Sequence, residues 1–131
     1  MSSKPTNGLI SLPSNHPVDE TLSRLHTLLA EKNVKIFALI DHSGEAERAG
    51  LKMPNTKLLI FGNPKAGTPL MQAAQTIAID LPLKALIWED EQGRSWLTYN
   101  DPEYLRDRHQ IPPELLSNLA GATALLKKAA E

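Results

Sequence analysis

The sequence predicts an α+β fold: a two-layer sandwich of about four to five mixed, largely antiparallel strands with helices packed on one face. Three observations lead there. Short apolar runs alternate with amphipathic helical segments through the first two thirds of the chain. The later strands form a hairpin rather than a further βαβ unit. At 131 residues, the chain is too short for the crossovers that a wide parallel sheet demands. One domain, 1–131, accommodates everything, with a helical tail over about 102–131.

Each element follows from a local signal. Residues 8–12 read as a short first strand ended by Pro13. Asn15-His16-Pro17 introduces a helix, with Asp19 and Glu20 favourable at its positive dipole end. Val18, Leu22, Leu25 and Leu29 recur at i, i+4, i+7 and i+11. They make one apolar stripe on a helix that ends near Asn33. VKIFALI, 34–40, reads as a largely buried strand. Ser43 caps a short helix stopped by Gly50, and 56–61 form the next strand. Thr68-Pro69 reads as cap and first position of a helix through about Gln75. Residues 83–88 and 95–99 make the clearest hairpin, joined by the acidic connection EDEQG. The tail is helical in two parts, from Pro102 and from Pro113 to about Ala129.

Composition narrows the class. With 41% hydrophobic and 22% charged residues, the chain has the make-up of a folded globular domain. Fourteen basic residues balance fifteen acidic ones, so no basic stripe exists and nucleic acid is not an expected partner. The absence of cysteine removes disulfides and thiolate chemistry. MSSKPTNG lacks the apolar core of a signal peptide, and no segment approaches the roughly 20 apolar residues of a membrane span. The expectation is a cytoplasmic protein with no membrane partner.

LLIFGNPKAGTPL, 58–70, is the most distinctive stretch. Gly62 and Gly67 have the glycine spacing of a phosphate-binding loop, G-x-x-x-x-G-K-[ST]. Lys65 precedes the second glycine, however, and Thr68 stands where the lysine belongs. Pro69 removes an amide donor as well. The motif fails at the residues that carry phosphate chemistry. What remains is a tight turn leading into a helix, with the helix start beside Lys65 as a place for an anion or carboxylate.

LLIFGNPKAGTPLMQA, followed by IDLPLKALIWEDEQGRSWLTYNDPEYL, resembles the domain of unknown function family 302. IDHSGEAERAGLKMPNTKLLIFGNP is similar to the middle of that family, where Asp41-His42, an alanine–glycine–leucine turn and the Gly62-Asn63-Pro64 corner occur in order. The resemblance runs from about Val18 to Tyr104. It implies a compact α+β fold with helices on one side of a sheet, often as a dimer, and it names no reaction.

Candidate chemistry is sparse. His42, beside Asp41 at a strand-to-helix corner, is either a base oriented by the carboxylate or part of a helix cap. Glu89, Asp90 and Glu91 are either a cation site or a solvated turn. No histidine pair has metal-ligand spacing, so no metal and no cofactor are expected. Trp96 and Thr98 should share one sheet face, with Leu97 and Tyr99 on the other. In the tail, Leu115, Leu119, Ala122 and Leu126 form a stripe flanked by Leu116 and Leu125. That is more apolar circumference than one packing layer needs, and it points to a homodimer.

The resulting expectation is a homodimeric binding or interaction module. A small anion or carboxylate pocket would be built from His42, Asn63, Lys65 and Thr68. The alternative is a small enzyme with Asp41-His42 as its acid/base pair. No nucleophile motif accompanies that pair, so catalytic residues stay unassigned.

Overall fold

The computed structural model describes residues 7–131; residues 1–6 of MSSKPTNG, expected to lack a signal peptide, lie outside the described residues. Five strands form one open sheet: β1 (Leu9–Pro13), β2 (Lys35–Asp41), β3 (Thr56–Gly62), β4 (Leu83–Glu89) and β5 (Ser95–Asn100). Their order is β1-β5-β4-β3-β2, and all four pairings are antiparallel. The α+β fold with largely antiparallel strands is thus as expected, and every pairing is antiparallel. Strands β2 to β5 follow one another as a meander, and β1 joins the free edge of β5. The helix after β1 carries the chain across the sheet to the opposite edge.

That helix, α1 (Val18–Glu31), buries Val18, Thr21, Leu25 and Leu29, close to the predicted stripe. Thr21 is tolerated inside because its hydroxyl bonds the carbonyls of His16 and Pro17 at 3.1 and 3.0 Å. Against α1 lies the last helix, α6 (Thr123–Ala130). Arg24 on α1 donates to the carbonyls of Lys128 and Ala129 at 3.0 and 3.1 Å. A cation thus closes the negative end of α6. Under these two helices the sheet contributes Leu59, Phe61, Ala85, Ile87, Leu97 and Tyr99 to one core.

A second, smaller core of Leu70, Ile77, Leu105, Ile111 and Leu119 gathers beyond the sheet end where β3 stops and β4 begins. It is built by α3 (Pro64–Ala73), the 3-10 segment Gln75–Asp80, α4 (Pro102–His109) and α5 (Leu116–Ala120). The remaining helix, α2 (His42–Arg48), follows β2 at the other end.

Three sequence expectations change here. VKIFALI is not a buried strand. As β2 it forms the sheet edge, with Phe37, Leu39 and Ile40 exposed, because an apolar run cannot say whether a strand has one neighbour or two. The predicted helix start at Thr68-Pro69 moves back to Pro64, which Asn63 caps, and Pro69 sits inside α3. Finally, the long tail helix is broken: Pro113–Leu115 is a 3-10 turn, followed by α5 and then α6. The break sends Leu119 into the second core and Leu126 into the first. Both apolar sides of the tail are thus satisfied within one chain, which removes the reason for inferring a dimer from it.

Candidate functional site

The Gly62–Leu70 stretch builds an apolar concavity at the sheet end. Strand β3 ends at Gly62, and Asn63, in extended conformation, caps α3 by accepting the Lys65 amide on its side-chain oxygen at 2.9 Å. The backbone carbonyl of Asn63 accepts the amides of Ala66 and Gly67, each at 2.9 Å. Pro64 has no N–H to offer. Every amide of the first helical turn is therefore spent inside the turn, and none remains for an anion.

What the turn creates instead is an apolar cavity of about 230 Å³. It lies between the glycine-bearing side of α3, Phe37 of β2, and Leu81-Pro82-Leu83 leading into β4. Leu70, Met71 and Asn118 complete the inner wall. A bulge between Ile36 and Ala38 brings Phe37 to the mouth, 44% exposed, with the Lys35 ammonium 4.9 Å from the ring centroid. No acidic or basic side chain lines the cavity. Asn118 is occupied, donating to the Ala66 carbonyl at 3.0 Å.

The four predicted binding residues do not converge. Asn63 and Thr68 line this cavity; Lys65 is exposed and outside the lining. His42 is at the far end of the β2–β3 pair, where Asp41 faces Lys57, whereas Lys35 faces Gly62. At about 3.3 Å per residue, the length of the strand puts about 20 Å between them. Sequence position next to a strand end suggested proximity, but the two ends are opposite ones.

Asp41 and His42 do not form the acid/base pair of the enzyme alternative. One Asp41 carboxylate oxygen accepts the Gly44 amide at 2.9 Å and the Ser43 hydroxyl at 2.8 Å, capping α2. These bonds hold its pKa below the ordinary carboxylate value. The acidic hairpin connection is organised in the same way. Asp90 accepts the Gln92 and Arg94 amides and the Trp96 indole N–H, each at 2.9 Å. The indole bond first, then the Arg94 amide, lowers its pKa. Asp90 thus builds the turn. Among the described residues no group of three or more His, Asp and Glu side chains is placed to hold a metal ion.

One polar cluster escaped the sequence reading. His109, its side chain only 6% exposed, bonds Asp80 at 2.6 Å through Nε2, while its Nδ1 lies 3.2 Å from the Thr76 hydroxyl. Arg108 reaches the same carboxylate at 3.1 Å. The cluster fastens α4 to the 3-10 segment. No spacing rule could have found it, since Asp80 and His109 meet only once the second core has formed.

The open sheet face is the other feature of note. Trp96 and Thr98 share it, and Leu97 and Tyr99 face the core. Trp88 stacks on Trp96 with ring centroids 6.2 Å apart and donates its indole N–H to Thr98 at 2.8 Å. Leu58, Ile60 and Leu86 extend this face, half-buried, toward Ile40 and Phe37 at the β2 edge.

Comparison with known proteins gives three results. A family profile described as "Domain of unknown function DUF302" matches residues 10–130. That match reaches past the 18–104 stretch carrying the sequence resemblance, because β1 and α6 belong to the same core. Fluoride-specific ion channel FluC 1 of Brucella suis biovar 1 (strain 1330) is 45% identical over 111 residues, covering 85% of this chain and 44% of that protein. Fluoride-specific ion channel FluC 2 of Brucella melitensis biotype 1 is also 45% identical over 111 residues, with 85% and 41% covered. The chain therefore spans less than half the length of these curated relatives. In fold, it is similar to the crystal structure of an uncharacterized conserved protein DUF302 from Bacillus stearothermophilus. The TM-score is 0.77 at 16% identity, covering 94% of this chain and 95% of the other.

These relatives overturn four expectations. Proteins named as ion channels are membrane proteins, so a cytoplasmic location and the exclusion of a membrane partner do not stand. Nor does the reading of the chain as a stand-alone homodimeric module with an anion pocket, or as a small Asp41-His42 enzyme. Composition carries no information on location or partners of this kind, and the relatives carry more than twice the matched length. The fold and the family match agree: the chain belongs to the DUF302 family.

Proposed function

We propose that this chain serves a fluoride channel as the part that stands outside the bilayer, acting on the channel and not forming the ion path. One observation carries the reading: 45% identity to named fluoride channels extends over 85% of this chain but over only 41–44% of the two relatives described. Among the described residues no helix is long and apolar enough to cross a membrane. The longest, α1, has 14 residues, short of the roughly 20 needed, and Asp19, Glu20 and Arg24 interrupt it. The ion path of the relatives is accordingly assigned to the portion that this chain does not match. The open sheet face supports the reading as well, since Phe37, Ile40 and the Trp88–Trp96 stack give an apolar surface of the kind proteins bury against a partner.

The test is retention on membranes. Liposomes are prepared empty or carrying the Brucella suis relative truncated to its unmatched portion, and each is spun down with this chain. The reading predicts co-sedimentation with the channel-bearing liposomes alone, weakened by Ile60→Lys on the open face. Equal recovery with both, or with neither, overturns it.

A further inference from the structure

We infer that the cavity beside α3 is a binding site for a neutral, single-ring or branched aliphatic molecule bearing at most one polar group. This assignment is independent of the channel reading. Size sets the first limit. About 230 Å³ is below the range of drug-sized pockets, yet ample for one ring with a short substituent, given that a cavity of about 150 Å³ takes up benzene.

Chemistry sets the second limit. Phe37, Leu70, Met71, Leu81, Pro82 and Leu83 supply the walls, and no charged side chain is among them. An anion would find no cation in the walls, since the Lys35 ammonium at the mouth is engaged by the Phe37 ring, and no free backbone amide, because the first turn of α3 is internally bonded. Of the two lining asparagines, the Asn63 side-chain oxygen and the Asn118 side-chain nitrogen already have partners. Thr68, exposed at the rim, brings the lining's one hydroxyl, which suits a ligand with a single hydroxyl or carbonyl.

Gly67 is the independent observation. Its φ is not in the left-handed region, so its backbone does not call for glycine. Glycine inside a helix is also costly relative to alanine. A Cβ built there would meet Leu81 Cδ1 at 3.8 Å and Met71 Cε at 4.0 Å, ordinary contact distances with two cavity-lining side chains. What glycine provides at this position is room. Met71 can adapt to the ligand's outline, and Phe37, exposed at the mouth, can close over it.

The experiment is an NMR titration of the whole chain with benzyl alcohol and, separately, with benzoate. These share a ring and differ in charge. Benzyl alcohol should give saturable shifts at Phe37, Gly62, Thr68 and Met71, with benzoate at least tenfold weaker. Gly67→Leu, which fills the space, should weaken benzyl alcohol at least tenfold while the protein stays folded. Gly67→Ala provides a milder version with a smaller loss should the leucine variant not fold. Absence of saturable shifts with benzyl alcohol, equal or tighter binding of benzoate, or unchanged affinity in a folded Gly67 variant would each overturn the assignment.

Discussion

The two faces of the sheet are made from similar residues and have opposite fates. One carries Leu59, Phe61, Ile87 and Leu97, all 1% exposed or less, beneath α1 and α6. The other carries Leu58, Ile60, Leu86, Trp88 and Trp96, half-buried by each other, with Phe37 and Ile40 open at the edge. Strand alternation alone would make the second face polar in an isolated two-layer domain. Its apolar content shows that hydrophobic residues on this sheet do two jobs. The first face holds the fold together; the second offers a surface.

The sharpest way to break this comparison is to remove the same side chain from each face. Phe61→Ala should cost about 3–5 kcal/mol, since burial is complete and a cavity remains. Phe37→Ala, 44% exposed at the edge, should cost under about 1 kcal/mol. Urea unfolding of both variants checks this, and equal losses would mean that the edge phenylalanine is structural. A charge makes the next test. Leu126→Asp, placed in the first core, should reduce the midpoint severely or prevent folding, because an unpaired carboxylate would be buried. Ile40→Lys should stay within about 0.5 kcal/mol of the parent.

Acid sharpens the contrast from the open side. Asp90 holds the Trp96 indole, and its folded pKa is depressed. Its contribution is therefore present above the unfolded value of about 3.9 and lost as pH falls through the lower folded value. Tryptophan fluorescence should report a change below about pH 4 that Asp90→Asn abolishes. Asp41, also depressed, adds to stability with the same sign, but through α2. A gain in place of a loss concerns the cavity: Gly67→Ala should raise stability by up to about 1 kcal/mol, from helix propensity alone. A loss in thermal unfolding would show that Gly67 is needed by the fold.

Much of the fold was legible because it rests on local periodicity. The α1 stripe, the β4–β5 hairpin and the split of Trp96 from Leu97 follow from spacings of 3.6 and 2. The rest depends on placement. VKIFALI is equally apolar whether central or at an edge, so its composition alone points to the interior. The tail's wide apolar coverage looked like two partners until the break near Gly121 divided it between two cores. At the site, the glycine pair stands out for its spacing, yet what the fold asks is closeness at Gly62, where a Cβ would lie 3.3 Å from Pro82. The Thr76–His109–Asp80 cluster joins elements distant in sequence and left no local trace.

Fluoride flux from liposomes tests the central claim most directly, comparing this chain alone, the intact Brucella suis relative, and that relative cut to its unmatched portion. A fluoride-selective electrode should record no release with this chain, and selective release with both the intact and the shortened relative. Release driven by this chain alone, or loss of all release when the matched region is removed, would contradict the account.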